Sequence, residues 1–121
     1  MDFAAARKVM VDSQVRVNDV TNRELHAAMG SVERERFVSP ERAFSAYADV
    51  MPEVTAGRRL MLPRDMGKLL EGAEVQAGEK ALVIAGPYAA AVLARMGLKV
   101  TVQDSDAEVF AVTGEALADY G

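Results

Sequence analysis

Cysteine is absent from this 121-residue chain. Disulfides are excluded with it, and so are thiolate metal sites. Histidine occurs once, at His26. It stands alone on a polar face, so the expectation is an exposed side chain and no metal centre. Aromatic residues are few, four Phe and three Tyr. No basic patch interleaves with them, which leaves nucleic-acid binding without its usual footprint. No apolar run approaches the roughly 20 residues that a membrane-spanning helix requires. Residues 1–14 lack the apolar core of a secretory leader, and Asp2 and Asp12 flank the basic pair Arg7-Lys8. The expected location is cytoplasmic. The four Pro and nine Gly gather into no linker, and no repeat or low-complexity tract is visible.

What is present is ordinary for a globular chain. Half the residues are hydrophobic, 26% are charged, and the net charge is −4. That suffices for one modest core. The organising stretch is residues 79–106, EKALVIAGPYAAAVLARMGLKVTVQDSD. Ala81 to Ala85 is an unbroken apolar run, which reads as a strand buried on both faces. Residues 88–96 carry apolar side chains at Ala89, Val92, Leu93 and Met96, the helical spacing. Gly97 follows as a left-handed helix stop. Leu98 to Gln103 reads as a second strand, with Asp104 at its C-terminal end. This is a βαβ unit with parallel strands. An acid at that place usually holds the ribose of a nucleotide-like cofactor.

The remainder reads as helical. Asp2 caps a helix from Phe3 to about Val15, with Phe3, Ala6, Met10 and Val11 inward and Arg7, Lys8, Asp12 and Gln14 outward. Thr21 and Glu24 form a capping box for a helix carrying Leu25, Ala28 and Met29. Phe37-Val38 anchors a short turn. Ser39-Pro40 starts another helix, with Phe44 and Tyr47 inward. Residues 51–56 read as irregular around Pro52, and residues 59–62 as extended. Pro63 opens a helix with Met66, Leu69, Leu70 and Ala73 at helical spacing, and Gly67 weakens it by about 1 kcal/mol relative to Ala. Ser105 to Glu108 reads as a second capping box. It opens a last helix to about Tyr120, with Val109, Val112, Ala116 and Tyr120 on one face.

Four blocks carry a resemblance. They are MVDSQVRVNDVT (10–21), VERERFVSPERAFSAYAD (32–49), GRRLMLPRDMGKLLEGAEVQAGEKALVIAG (57–86), and AAVLARMG (90–97) followed by V-x-V-x-D-S-D. In that order and spacing the chain resembles the bacterial protein-L-isoaspartate O-methyltransferases, over nearly its whole length. The resemblance implies an α/β fold, with a helical N-terminal cap at 1–75 and the βαβα start of a Rossmann-like sheet at 76–121. Together these make one incomplete domain. It implies S-adenosylmethionine as cofactor and damaged proteins or peptides as substrates. Gly86, Tyr88 and Asp104 fall at cofactor-binding positions, and Met61, Leu62 and Pro63 at the substrate-side motif.

The departures from the family pattern shape the expectation. The family's loop is Gly-rich, whereas here only Gly86 remains and Pro87 removes an N–H. Apolar Val83 stands where an acid is expected, and Met61 where the best-known members have Ser. Gly86-Pro87 reads either as a cofactor loop or as a tight turn. Asp104 reads either as a ribose ligand or as a solvated helix-entry acid. Tyr88 reads as facing either the cofactor space or the core. No side chain stands out as a general base or nucleophile. The expectation is a truncated or degenerate member with doubtful cofactor binding and no catalysis. A homodimer or a partner chain is expected at the open edge of the first strand. The alternative is a non-catalytic binding or oligomerisation module on the same fold.

Overall fold

A computed structural model describes residues 1–55 and 57–121. Ala56, the last residue of the expected irregular stretch, lies outside the described residues.

Helix α1 (Phe3–Met10) starts where Asp2 accepts the Ala5 N–H at 3.1 Å. Its turns loosen through Val11–Val15, tighten over Arg16–Asn18 and stop at Asp19, whose φ is +64°. Met10, Val11 and Val15 are buried. Arg7 and Gln14 do not face water as expected. The Arg7 Nε–H donates to the Tyr47 hydroxyl at 2.8 Å, and the Gln14 amide donates to the Tyr47 carbonyl at 2.8 Å. Helix α2 (Arg23–Ser31) is capped by Asn22, which accepts from the Leu25 N–H, so the expected Thr21–Glu24 box does not form. Nor is His26 exposed. It is buried, and one ring nitrogen lies 2.6 Å from the Val20 carbonyl oxygen.

Short tight turns follow at Arg34–Phe37 and Pro40–Ser45. Phe37, Val38 and Tyr47 are buried, but Phe44 is 67% exposed, because six residues of tight turn give no continuous inward stripe. The stretch expected to be irregular includes a strand, β1 (Glu53–Thr55), paired antiparallel with β2 (Arg58–Arg59) across an irregular register. Pro63 opens α3 (Pro63–Gly72), which buries Met66, Gly67 and Leu70. Leu69, expected inward, is 56% exposed.

Strand β3 (Lys80–Ile84) pairs in parallel with β4 (Lys99–Gln103), with Lys80 opposite Lys99 and Ile84 opposite Gln103. Between them runs α4 (Pro87–Arg95), buried almost all round. Its alanines let α2 and α5 (Ala107–Tyr120) approach closely. Asp106, not Ser105, caps α5, accepting the Val109 N–H at 3.0 Å. One core cluster runs from Met10 to Ala116, and Ala81, Val83 and Val100 pack against it. The expectation of a strand buried on both faces fails. Leu82 is 57% and Ile84 66% exposed, because among the described residues no element covers that face.

Candidate functional site

Parallel strands leave a crevice beyond their carboxyl ends, where ligands of open α/β sheets bind. Here the corresponding position is the pair of strand ends, with Ala85 after β3 and Asp104 after β4. The ladder continues one residue past β3, as the Ala85 N–H donates to the Gln103 carbonyl at 2.8 Å. The chain then turns sharply at Ala85, whose φ is +56°. Gly86, at φ −130°, needs no left-handed freedom. It is small for packing, since a Cβ there would sit 3.0 Å from Val83 Cγ1. The backbone strain of this turn therefore falls on an alanine. Pro87 follows in the first turn of α4 and offers no N–H toward the crevice.

On the β4 side the Asp104 side chain is only 4% exposed. Its Oδ1 accepts the Asp106 N–H at 2.9 Å, which sets the entry of α5. Both carboxylate oxygens also accept from Arg58. Nη1 donates to Oδ1 at 2.6 Å and Nη2 to Oδ2 at 3.0 Å. Nη2 donates further to the Ala85 carbonyl at 3.1 Å. One guanidinium thus spans the crevice from strand end to strand end. Hydrogen bonding and charge from Arg58 hold the Asp104 carboxyl below its usual range, and Asp104 raises the guanidinium in turn.

The other expected residues lie elsewhere. Gly86, Tyr88 and Met61 line a cleft of about 470 Å³ beside the turn, together with Met66, Val83 and Arg58. Asp104, Leu62 and Pro63 do not line it. Tyr88 belongs to the core at 1% exposure. Its ring packs edge-on against Phe37 at 6.1 Å and beneath the Arg34 guanidinium at 4.7 Å. Burial pushes the Tyr88 phenol up. Met61 keeps a half-exposed side chain, while its carbonyl accepts from Arg34 at 2.8 Å. Leu62 precedes α3 without a side-chain cap, and Pro63 is buried at the helix start.

Sequence reasoning missed Arg58 and Arg34. Arg58 lies 46 residues from Asp104, and no local pattern links a basic pair in an extended piece to a strand-end acid. Arg34 stands in a run, Arg34-Glu35-Arg36, that reads most simply as a solvated charged face able to form ion pairs with its neighbours. It is instead fully buried, donating to the Ala46 carbonyl at 2.6 Å as well as to Met61. Desolvation lowers its pKa. Among the described residues, no group of three or more His, Cys, Asp or Glu could hold a metal ion. No described helix is long and apolar enough to cross a membrane.

A parallel βαβ unit packed with helices, with a part-buried acid at the end of its second strand, makes this a mixed α/β protein. Comparison with known proteins specifies the family. Residues 5–107 match the family model for protein-L-isoaspartate(D-aspartate) O-methyltransferase. A protein-L-isoaspartate O-methyltransferase of Methylorubrum populi is 34% identical over 119 residues, which is 97% of this chain and 56% of that protein. One from Anaeromyxobacter is 31% identical over 117 residues, 95% of this chain and 48% of the relative. The chain belongs to the protein-L-isoaspartate O-methyltransferase family. It spans about half the length of the curated relatives it matches.

Three features of the strand ends bear on the fit of the S-adenosylmethionine that the resemblance implies. Both oxygens of the acid accept from Arg58, the turn offers a proline where an N–H would serve, and the Ala85 carbonyl accepts from the same guanidinium.

Proposed function

We propose that this chain is a protein-L-isoaspartate O-methyltransferase-like protein whose crevice does not hold S-adenosylmethionine productively, and that it serves as a binding or association module on the methyltransferase fold. The observation that supports this is the Arg58 guanidinium spanning both strand ends. The proline-bearing turn points the same way. Fold alone would argue for the family's chemistry, but the site argues against it.

Calorimetry of the chain with S-adenosylmethionine and S-adenosylhomocysteine tests the reading. No saturable binding is expected below millimolar ligand. Micromolar binding, lost on Asp104→Ala, would restore the second reading, carboxyl methylation of isoaspartyl residues in damaged proteins. The placement of Asp104 at the end of β4 favours that second reading. Labelled methyl groups appearing on an isoaspartyl peptide would establish it.

The association half of the proposal rests on β3. Among the described residues its only strand partner is β4, and apolar Leu82 and Ile84 stand exposed. Unpaired apolar edges recruit partner strands. A second copy of the chain or a partner chain is proposed to meet this edge, with damaged proteins or peptides as partners only under the catalytic reading.

A further inference from the structure

We infer that Arg58 is the specificity-determining residue of the crevice, an internal guanidinium that occupies the diol-reading face of Asp104 and keeps nucleosides out. This rests on the reading of the crevice given above. A ribose is read at such a site by two neighbouring hydroxyls, each donating to one carboxylate oxygen. A guanidinium offers the same pattern, two parallel N–H donors in one plane. Arg58 donates to Oδ1 at 2.6 Å and to Oδ2 at 3.0 Å, so it supplies both donors at once.

Oδ1 also accepts the Asp106 N–H, which leaves little capacity for a second bidentate partner. The third contact of Arg58, to the Ala85 carbonyl at 3.1 Å, holds the guanidinium across the gap between the strands. A ligand bridging the two strand ends would need that same volume. Only Arg58 among the groups bonded to Asp104 comes from outside the βαβ unit. It sits on β2, a strand of two residues paired to a strand of three. Such a ribbon is marginal by itself; Leu60 N–H to the Pro52 carbonyl at 2.9 Å closes it, and Ser39 N–H to the Glu53 carbonyl at 3.4 Å ties it to the preceding turn. The Arg58 side chain remains 27% exposed, so solvent is at hand to receive it when it withdraws. Asp104 is thus built as a nucleoside-reading acid and held closed by one side chain, rather than lost.

The test is calorimetry at neutral pH with adenosine and S-adenosylhomocysteine, on the unmodified chain, Arg58→Gln, Arg58→Lys and Arg58→Gln/Asp104→Asn. Arg58→Gln is expected to bind both ligands at least tenfold more tightly than the unmodified chain. The double variant is expected to fall back to the unmodified level. Arg58→Lys, which keeps the charge but cannot form the fork, should gain severalfold. Arg58→Gln binding no more tightly, with circular dichroism and unfolding midpoint retained, overturns the inference. So does a gain that survives Asp104→Asn. Should Arg58→Gln fail to fold, Arg58→Lys decides the matter by the presence or absence of its gain. The two failures are distinguishable. Micromolar binding by the unmodified chain removes the proposed function and the inference together, since an Arg58 that admits the ligand does not keep it out. No binding by any variant leaves the proposed function in place and removes the inference.

Discussion

Glu71 sits at the start of a helix to which it does not belong. From α3 it accepts the Asn22 N–H at 2.7 Å and the Thr21 N–H at 2.5 Å, donors at and just before the cap of α2. These bonds hold its carboxyl below the usual value of 4.5. A depressed carboxylate stabilises the fold above its unfolded pKa, and the contribution is lost as pH falls through the folded one. Glu71→Gln is therefore expected to lower the urea midpoint at pH 7. The gap to the unmodified chain should narrow as pH falls below 4.5 and close once the bound carboxylate is protonated. An equal gap at both pH values would remove the carboxylate from the account. Ala85 poses the opposite question, a strained residue rather than a well-partnered one. At φ +56° its side chain crowds the backbone. Ala85→Gly is expected to stabilise the chain by about 1 kcal/mol, read from denaturant unfolding. A loss of stability would show that the turn carries no strain.

At the scale of elements, α3 shows two effects in competition. Gly67 lies inside the helix, where Ala would gain about 1 kcal/mol in propensity. A Cβ there would come within 3.1 Å of Val15 Cγ1 and 3.2 Å of Val20 Cγ2. Both valines are fully buried and stiff at χ1, and overpacking such a contact costs about 1–3 kcal/mol. Packing is expected to win, so Gly67→Ala should destabilise by about 1 kcal/mol in urea unfolding. A stabilised variant would mean that α3 can retreat from the first helical segment. Strand β3 gives a second element-scale test. Leu82 and Ile84 contribute little to the isolated fold, since substitutions at exposed positions change stability by about 0.5 kcal/mol or less. Leu82→Lys/Ile84→Lys should leave the unfolding midpoint nearly unchanged while reducing association in sedimentation. Unaltered sedimentation of an associated form would place the contact elsewhere.

Across the whole molecule, Arg34 joins parts that are far apart in the chain. Its guanidinium holds the carbonyls of Ala46 and Met61 and stacks on Tyr88, tying the turn after α2, the end of the second tight turn, the entry to α3 and the start of α4. The Tyr47 hydroxyl adds to the knot by accepting the Arg34 N–H at 2.9 Å. A buried guanidinium is costly in itself, but removing it strands carbonyls in the core. Arg34→Ala is expected to destabilise by about 3 kcal/mol. Arg34→Lys should restore only part of this, because an ammonium cannot fork between two carbonyls. At the far end, Arg36 pairs with Asp119 at 2.9 Å, and the Tyr120 hydroxyl accepts the Glu33 N–H at 3.0 Å, so α5 closes against the same turn.

The sequence by itself determined the elements whose causes are local. The parallel βαβ unit followed from an apolar run, a helical period and a glycine stop, and the bounds of β3, α4, β4 and α5 differ from that reading by a residue or two. Proline at the start of α3 and Asp2 before α1 acted where they stood, because a fixed φ and a side-chain cap need only their own neighbours. Asp104 at the end of its strand was legible for the same reason. Tertiary structure alone decided what each polar group meets. Arg34 reads as solvated and is buried, Glu71 caps a foreign helix, and Tyr88 turns to the core. Arg58 reaches Asp104 across 46 residues. None of these contacts has a period or a spacing, since they depend on how the elements pack. Burial followed the same rule, for the apolar run of β3 records what a strand could bury, while the neighbouring layers decide which of its faces is covered.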